Sequence, residues 1–163
     1  MPVAEPIGPG QESVWDYPRP PRVEPVERVL RVTFAGVVVA ETRRGLRVLE
    51  TASPPTFYFP PDDVRTELLQ PGGRQTVCEW KGLAEHFDLT VEGRRSRAAA
   101  WSYQSPNPGY ESIAGYIAFY PARVDEATVA GEQVRAQAGG YYGGWITSEV
   151  VGPFKGDPGT EGW

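Results

Sequence analysis

Short runs of alternating apolar and polar residues, separated by turn-forming residues, restrict the fold of this chain more than any other feature. Leu30, Val32 and Phe34 alternate with polar neighbours, and the same spacing returns between residues 87 and 91. A period of two places successive side chains on opposite faces of a β-strand. The 163 residues also include 19 glycines and 17 prolines, which end strands and form turns. The sequence therefore predicts a mainly β protein built from short strands.

The positions of these runs predict individual strands. The predicted elements are a three-stranded antiparallel meander over residues 29–51, an aromatic strand at 56–59, a central strand at 75–80, a hairpin from strands at 84–91 and 98–103, and a last core strand at 116–120. Pro61, followed by Asp62 and Asp63, suits the first turn of a helix, so a short helix is predicted over residues 62–69. A single helical turn is predicted at 111–114, and residues 124–138 show only weak helical spacing.

The two ends of the chain differ in composition from its middle. Residues 1–13 are rich in proline and glycine and predict a disordered leader, followed by an arm in which Trp15 and Tyr17 pack on the domain. We therefore divide the chain into a leader and arm (1–28), a β domain (29–124) and a C-terminal extension rich in glycine and aromatic residues (125–163). That extension is expected to dock either on its own domain or on a second subunit of a homodimer.

The segment Val77-Cys78-Glu79-Trp80-Lys81-Gly82 concentrates reactive groups in the middle of the chain. In an extended strand, Cys78 and Trp80 share one face and Glu79 and Lys81 share the other, with the latter pair about 7 Å apart. Glu79 and Lys81 are therefore candidates for a catalytic acid and base. Lys81 is also a candidate for Schiff-base formation, and Cys78 is a candidate nucleophile if it is exposed beside a cation.

A single cysteine and a single histidine, His86, limit the chemistry of the chain. One thiol forms neither an internal disulfide nor a zinc site built from several thiolates, and one histidine needs several carboxylates to hold a metal. We therefore predict no metal ion and no cofactor. The net charge of -5 argues against nucleic-acid binding, because neutralising phosphates requires a basic surface.

Targeting signals are not recognisable in this sequence. Residues 1–13 lack the apolar run of a signal peptide, and the longest uncharged apolar run, residues 34–40, is too short to cross a bilayer. The expected location is the cytoplasm, without membrane association.

Five short segments, taken in order, carry a resemblance to a known family. They are Glu50-Thr51 before a proline-rich loop, Tyr58-Phe59-Pro60-Pro61-Asp62-Asp63-Val64, Cys78-Glu79-Trp80-Lys81-Gly82, Ala100-Trp101-Ser102-Tyr103, and Ala114-Gly115-Tyr116-Ile117-Ala118-Phe119-Tyr120. Together they resemble bacterial domain-of-unknown-function family 427 over roughly residues 29–124. The resemblance implies a β-tent, in which two antiparallel sheets meet at an angle, with one or two short helices. The family is sometimes labelled nucleotidyltransferase-like, but this chain has no glycine-rich phosphate cradle and no separated acidic pair for magnesium.

In the geometry that this resemblance implies, aromatic side chains line a cleft between the two sheets. The implied lining comprises Tyr58, Trp80, Trp101, Tyr103, Tyr116 and Phe119, with Glu50, Asp62, Cys78, Glu79 and Lys81 at or near its edge. Aromatic walls with a few convergent polar groups are typical of a small-molecule pocket, here one for a flat or cationic ligand. The alternatives are a small-molecule enzyme that uses Glu79, Lys81 or Cys78, and a structural or oligomeric protein whose rings only form the core.

Overall fold

The computed structural model describes residues 3–139, 142–160 and 163, and in this part of the chain the secondary structure is almost entirely β. The strands are β1 (Glu12–Ser13), β2 (Arg22–Val26), β3 (Leu30–Phe34), β4 (Val37–Thr42), β5 (Gly45–Leu49), β6 (Thr56–Phe59), β7 (Leu69–Cys78), β8 (Gly82–Val91), β9 (Arg94–Ser102), β10 (Ile117–Phe119), β11 (Glu126–Val129), β12 (Glu132–Gln133), β13 (Arg135–Ala136), β14 (Trp145–Ile146) and β15 (Val150–Val151). Five short 3-10 turns connect them, at Val14–Asp16, Pro61–Asp63, Thr66–Leu68, Glu111–Ile113 and Pro121–Arg123. The predicted mainly β fold is confirmed.

Two antiparallel sheets form the body of the molecule. The larger sheet has seven strands in the order β2-β5-β6-β10-β9-β8-β7, and the smaller has four in the order β12-β11-β3-β4. The main hydrophobic core lies between them and takes Leu30 and Val32 from the small sheet and Phe59, Leu89 and Phe119 from the large one. Burial of these apolar side chains is the main force that holds the two sheets together.

Strands β2 and β11 lie outside residues 29–124 but complete the two sheets. β2 pairs with β5 at one edge of the large sheet, and β11 pairs with β3 in the small sheet. The segment 124–138, whose spacing is weakly helical, contains the three strands β11, β12 and β13 and no helix. The division of the chain at residues 28 and 124 stays a prediction.

The two chain ends meet on the surface of the domain. β1 pairs with β15 in parallel, and the backbone N–H of Glu5 donates to the carbonyl of Gly152 at 2.9 Å. Val14 and Tyr17 of the arm pack with Phe154 of the extension in a separate apolar cluster. The predicted packing of the arm is confirmed. Backbone hydrogen bonds of Glu5 and Glu12 also join parts of the leader to the extension, whereas the predicted disorder of the leader stays a prediction.

The predicted three-stranded meander is wrong at its third strand. β3 and β4 form a hairpin across a turn in which Ala35 and Gly36 have φ angles of 50° and 75°, a geometry that suits a two-residue hairpin turn. β5 then leaves the small sheet and pairs with β2 and β6 in the large one. The change of sheet occurs at Gly45, where a β-carbon would fall 2.6 Å from Cδ1 of Leu30.

The predicted helix over residues 62–69 is also wrong. Pro61 begins a helical turn as expected, but the turn ends at Asp63. Val64 is buried and forms an isolated β-bridge with Ala40, so the chain becomes extended again. A second short turn leads directly into β7, which begins at Leu69.

Strand β7 is longer than predicted and lies at the edge of the large sheet, so the prediction of a central strand at 75–80 is wrong. The strand passes through Pro71 and Gly72, with a shift of register before Gln75. An edge strand tolerates proline and an irregular register because one side of its backbone has no ladder to maintain. The hairpin of β8 and β9 is confirmed, with a turn at Glu92 and Gly93.

The helical elements of the described residues are all single short turns. None of them is long and apolar enough to cross a lipid bilayer.

Candidate functional site

Strand pairing places large side chains in a row across the outer face of the large sheet, opposite the main core. Tyr58 on β6 pairs with Ala118 on β10, which pairs with Trp101 on β9, which in turn pairs with His86 on β8. Residues in direct register project to the same face of a sheet. Tyr58, Ala118 and Trp101 accordingly belong to a second buried cluster, separate from the core between the sheets.

A cavity of about 140 Å³ opens on this face. The cavity is lined by Thr56, Tyr58, Thr76, Lys81, His86, Trp101, Tyr103, Tyr120 and Gly143. Side-chain hydroxyls, one ammonium and one imidazole line it together with aromatic rings, and none of these lining residues carries a carboxylate. We call this cavity the Lys81 pocket.

Lys81 reaches the pocket because the chain reverses direction at this point. β7 ends at Cys78, which pairs with Gly82 at the start of β8, so Glu79, Trp80 and Lys81 form the connecting loop. The predicted strand alternation is therefore wrong. The Glu79 side chain is exposed and Lys81 is buried, so they do not share a strand face.

Asn107 fixes the shape of this loop. Its backbone N–H donates to the carbonyl of Lys81 at 2.8 Å, and its side-chain amide donates to the carbonyl of Trp80 at 3.3 Å. Gly82 has a φ of +107°, and a β-carbon there would fall 3.0 Å from the Asn107 side chain. Glycine at position 82 therefore satisfies both the backbone conformation and the close approach of Asn107.

The Lys81 side chain lies among polar and aromatic groups. Lys81 is 9% exposed, and its Nζ lies 5.7 Å from the centroid of the Tyr103 ring. Cys78 lies close to both side chains and interacts electrostatically with Lys81 and Tyr103. Burial alone lowers the pKa of Lys81, but Tyr58, Cys78 and Glu50 more than offset this effect, so the pKa lies above its ordinary value. The Lys81 ammonium is therefore charged at neutral pH.

His86 contributes a buried imidazole to the same pocket. It is 3% exposed, and its Nε2 lies 2.9 Å from the Thr76 hydroxyl. Its Nδ1 is buried and has no hydrogen-bond partner in the described part of the chain. Burial lowers the pKa of His86, and Arg74 and Arg123 lower it further, so the ring is neutral at neutral pH.

The phenol and indole groups of the pocket contact one another. The Trp101 Nε1–H donates to the Tyr58 hydroxyl at 3.3 Å. The centroids of the Tyr120 and Trp101 rings lie 4.6 Å apart. Burial raises the pKa of both Tyr103 and Tyr120, so both stay protonated and can donate hydrogen bonds.

The C-terminal extension closes one side of the pocket. Gly143 lies against the Trp101 ring, and Trp145 is buried with its Nε1–H donating to the Phe119 carbonyl at 3.0 Å. The Gly144 N–H donates to the Gln137 side chain at 3.1 Å. Residues 142–160 therefore pack on their own domain, while residues 140–141 and 161–162 lie outside the described part.

The predicted site residues divide into three groups. Tyr58, Trp101, Tyr103 and Lys81 line the pocket together. Cys78 lies beside it, and Trp80 and Tyr116 pack on the same outer cluster without lining the cavity. Glu79 and Asp62 are exposed, and Glu50 forms an ion pair with Arg19 at 3.7 Å.

The predicted position of the cleft between the two sheets is wrong. The main core fills that space, and Phe119 belongs to it, on the opposite face of the large sheet from Tyr58. Phe119 follows Ala118 on β10, so strand alternation sends its side chain away from the pocket.

The sequence does not predict five of the residues that line the pocket. They are Thr56, Thr76, His86, Tyr120 and Gly143. Thr76 lies two residues before Cys78 on β7, and its pairing with Ala84 brings it near His86, so the register of the hairpin is the signal that identifies it. Gly143 comes from a distant segment and carries no local signal.

A second, wider groove of about 710 Å³ lies within the C-terminal extension, where Tyr142, Lys155, Asp157 and Trp163 contribute to its lining. Several of its lining residues are sequence neighbours of positions outside the described residues, and the groove carries no functional proposal. Within residues 3–139, 142–160 and 163, no group of three or more His, Cys, Asp or Glu side chains is placed to hold a metal ion.

Comparison with known proteins gives one result. A family model described as a domain of unknown function, DUF427, matches residues 22–130. This stretch begins at the first residue of β2 and extends just beyond β11, so it contains every pocket residue except Gly143. The resemblance predicted from the five segments is confirmed. No curated protein matches the chain.

Proposed function

The chain belongs to domain-of-unknown-function family 427, whose description gives no activity, and we propose that the protein binds a small molecule in the Lys81 pocket. One observation carries the proposal: Lys81 and His86 are both buried beside a cavity. Burying polar groups costs free energy unless they are well paired, so such groups commonly mark a binding site. The aromatic rings supply contact area, and the polar groups fix the orientation of the ligand.

The geometry supports binding better than acid and base catalysis by Glu79 and Lys81. Glu79 is exposed on the connecting loop, whereas Lys81 is buried and cationic. A charged ammonium is a poor base and does not form a Schiff base until it loses its proton. The observation that favours an enzyme concerns Cys78, which is half-buried beside the Lys81 cation and the Tyr103 hydroxyl. Nucleophilic catalysis by Cys78 is therefore the second candidate function.

The proposed location and assembly follow from the sequence. A cytoplasmic location and a possible homodimer are proposals that rest on the sequence.

A ligand screen with a blocked pocket tests the proposed function. Thr76 is exposed on the edge strand and lines the pocket, so Thr76→Trp places a large ring at the pocket mouth. Val77→Trp places the same ring on the opposite face of β7, where Val77 is 78% exposed. We expect some members of a metabolite library to raise the melting temperature and change the tryptophan fluorescence of the wild type and of Val77→Trp. The same compounds should leave Thr76→Trp unchanged. Binding that survives in Thr76→Trp would place the ligand elsewhere.

A further inference from the structure

We infer that the ligand of the Lys81 pocket is a small carboxylic acid whose carboxylate pairs with the Lys81 ammonium. The inference rests on the proposed function, and it names the class of ligand. Its basis is the set of groups around Lys81.

Lys81 is a buried cation without a carboxylate partner in the part of the chain that the structure describes. Arg47, by contrast, pairs with Glu12 at 2.6 Å, and Arg94 forms two hydrogen bonds with Asp125, at 2.6 and 2.7 Å. Lys81 instead contacts the Cys78 thiol and the face of the Tyr103 ring. A buried charge is costly unless an opposite charge accompanies it, so an anionic ligand supplies what the chain itself does not.

Glu50 is the carboxylate that acts on Lys81 from a distance. It favours the charged form of Lys81, but its own side chain forms an ion pair with Arg19 at 3.7 Å. The position next to the ammonium is therefore left for another anion.

The remaining polar groups of the pocket also suit an anion. Tyr58 accepts a hydrogen bond from Trp101, so its own proton is available to a ligand. Tyr103 and Tyr120 are protonated phenols with the same ability. Protonated hydroxyls around an ammonium stabilise a carboxylate through charge-assisted hydrogen bonds. A cationic ligand, which aromatic rings alone would favour, is repelled by Lys81.

The charge and size of the pocket favour a carboxylate over a phosphate. Lys81 is the cation among the lining residues, and one ammonium balances one negative charge. Arg74 and Arg123 also act on His86, but neither residue lines the cavity. The volume of about 140 Å³ lies below the roughly 300–1,000 Å³ of most ligand pockets. The pocket therefore fits a small acid or the acidic end of a larger molecule, with its apolar part against Trp101.

Pairs of acids and matched neutral molecules test the inference. The probes are acetate, propionate, benzoate and phenylacetate, each compared with its amide, together with phenyl phosphate and benzylamine. We expect the acids to stabilise the wild-type protein in thermal-shift and calorimetric titrations, and the amides and benzylamine to bind much more weakly. Lys81→Met should weaken the binding of the best acid by about thirtyfold or more, because it removes one partner of a buried charge pair.

The second lysine of the chain provides the matched control. The Lys155 Nζ lies 5.7 Å from the Tyr142 ring, a distance equal to that of Lys81 from Tyr103, but Lys155 lies outside the pocket. Lys155→Met should leave acid binding unchanged, and Lys81→Arg should retain part of it. If Lys81→Met is poorly folded, the comparison of acids with amides on the wild type still decides the matter.

The possible failures are distinguishable. Amides that bind as well as acids, or acid binding that survives in Lys81→Met, would overturn the charge pairing while leaving a binding pocket. Stronger binding of phenyl phosphate than of any carboxylate would overturn the ligand class. Acid binding that survives in Thr76→Trp would overturn both this inference and the location of the site.

Discussion

Gly143 lies so close to Trp101 that a β-carbon at residue 143 would fall 2.2 Å from Cη2 of the indole ring. This contact joins the C-terminal extension to the row of aromatic side chains on the large sheet. Gly143 and Trp101 also both line the Lys81 pocket. The extension is therefore part of the pocket wall.

Gly143→Ala should destabilise the protein by about 1–3 kcal/mol, because the added methyl group overlaps the Trp101 ring and forces one of the two segments to move. Urea denaturation followed by circular dichroism measures the change in the free energy of unfolding. Trp101→Phe removes the ring atoms that clash, so the effect of Gly143→Ala should be smaller in that background. An equal effect in both backgrounds would show that the Trp101 contact is not the cause.

Trp145→Phe should cost more stability than Trp15→Phe. Both indoles donate a hydrogen bond to a backbone carbonyl, Trp145 to Phe119 at 3.0 Å and Trp15 to Pro153 at 2.9 Å. Trp145 is 1% exposed, so its loss leaves a buried carbonyl unsatisfied at a cost of about 1–3 kcal/mol. Trp15 is only half-buried, and water can replace its hydrogen bond. Chemical denaturation measures the free energy of unfolding of both variants. Equal losses would contradict the greater contribution of the buried hydrogen bond.

The stability of the protein should fall between neutral pH and the range in which its carboxylates titrate. The pKa of His86 lies below its ordinary value of 6.5, because burial and then Arg74 and Arg123 disfavour the imidazolium. As the pH drops through 6.5, the unfolded chain takes up a proton that the folded protein does not, so the free energy of unfolding decreases. The decrease ends once the folded His86 is itself protonated.

His86→Gln separates this effect from that of the carboxylates. His86 is the single histidine of the sequence, and glutamine retains a group able to bond to Thr76. The carboxylates with lowered pKa, such as Asp88 and Asp125, have ordinary values of 3.8 and act at lower pH. Melting temperatures of the variant should therefore be level over the range in which those of the wild type decline. A decline of the same size in the variant would assign it to other groups.

The Cys78 thiol should react with iodoacetamide in the native protein, and Lys81→Met should slow the reaction. Cys78 is half-buried and lies beside the Lys81 side chain. Thiols next to a cation generally react faster with alkylating reagents than isolated thiols do. Mass spectrometry of timed samples measures the rate, and Lys155→Met is the control that should not change it. An unreactive Cys78 would remove nucleophilic catalysis from the candidate functions.

Local pattern was sufficient for much of the fold. The alternation around Leu30 and Leu89 predicted strands because a period of two is a property of the strand itself. Gly36 and Gly93 marked hairpin turns because glycine readily adopts the positive φ that these turns require. Composition alone also limited the possible disulfide and metal chemistry, because the chain has one cysteine and one histidine.

Tertiary structure decided which strands pair and which face of each becomes a site. β5 joins the large sheet because Gly45 allows close packing against Leu30, a contact between segments that local alternation does not describe. The predicted place of Phe119 is the pocket, but its side chain lies in the core, because the face that a residue occupies depends on which sheet covers it.

The sequence by itself determined that Cys78, Glu79, Trp80 and Lys81 are adjacent, and only the folded chain decided that Lys81 enters the pocket. A strand would have placed Glu79 and Lys81 on one face, but pairing of Cys78 with Gly82 turns the chain between them. The turn is held by Asn107, 25 or more residues away, and the pocket is closed by Gly143, further still. Contacts between such distant residues depend on the packing of the whole domain, so no local pattern specifies them.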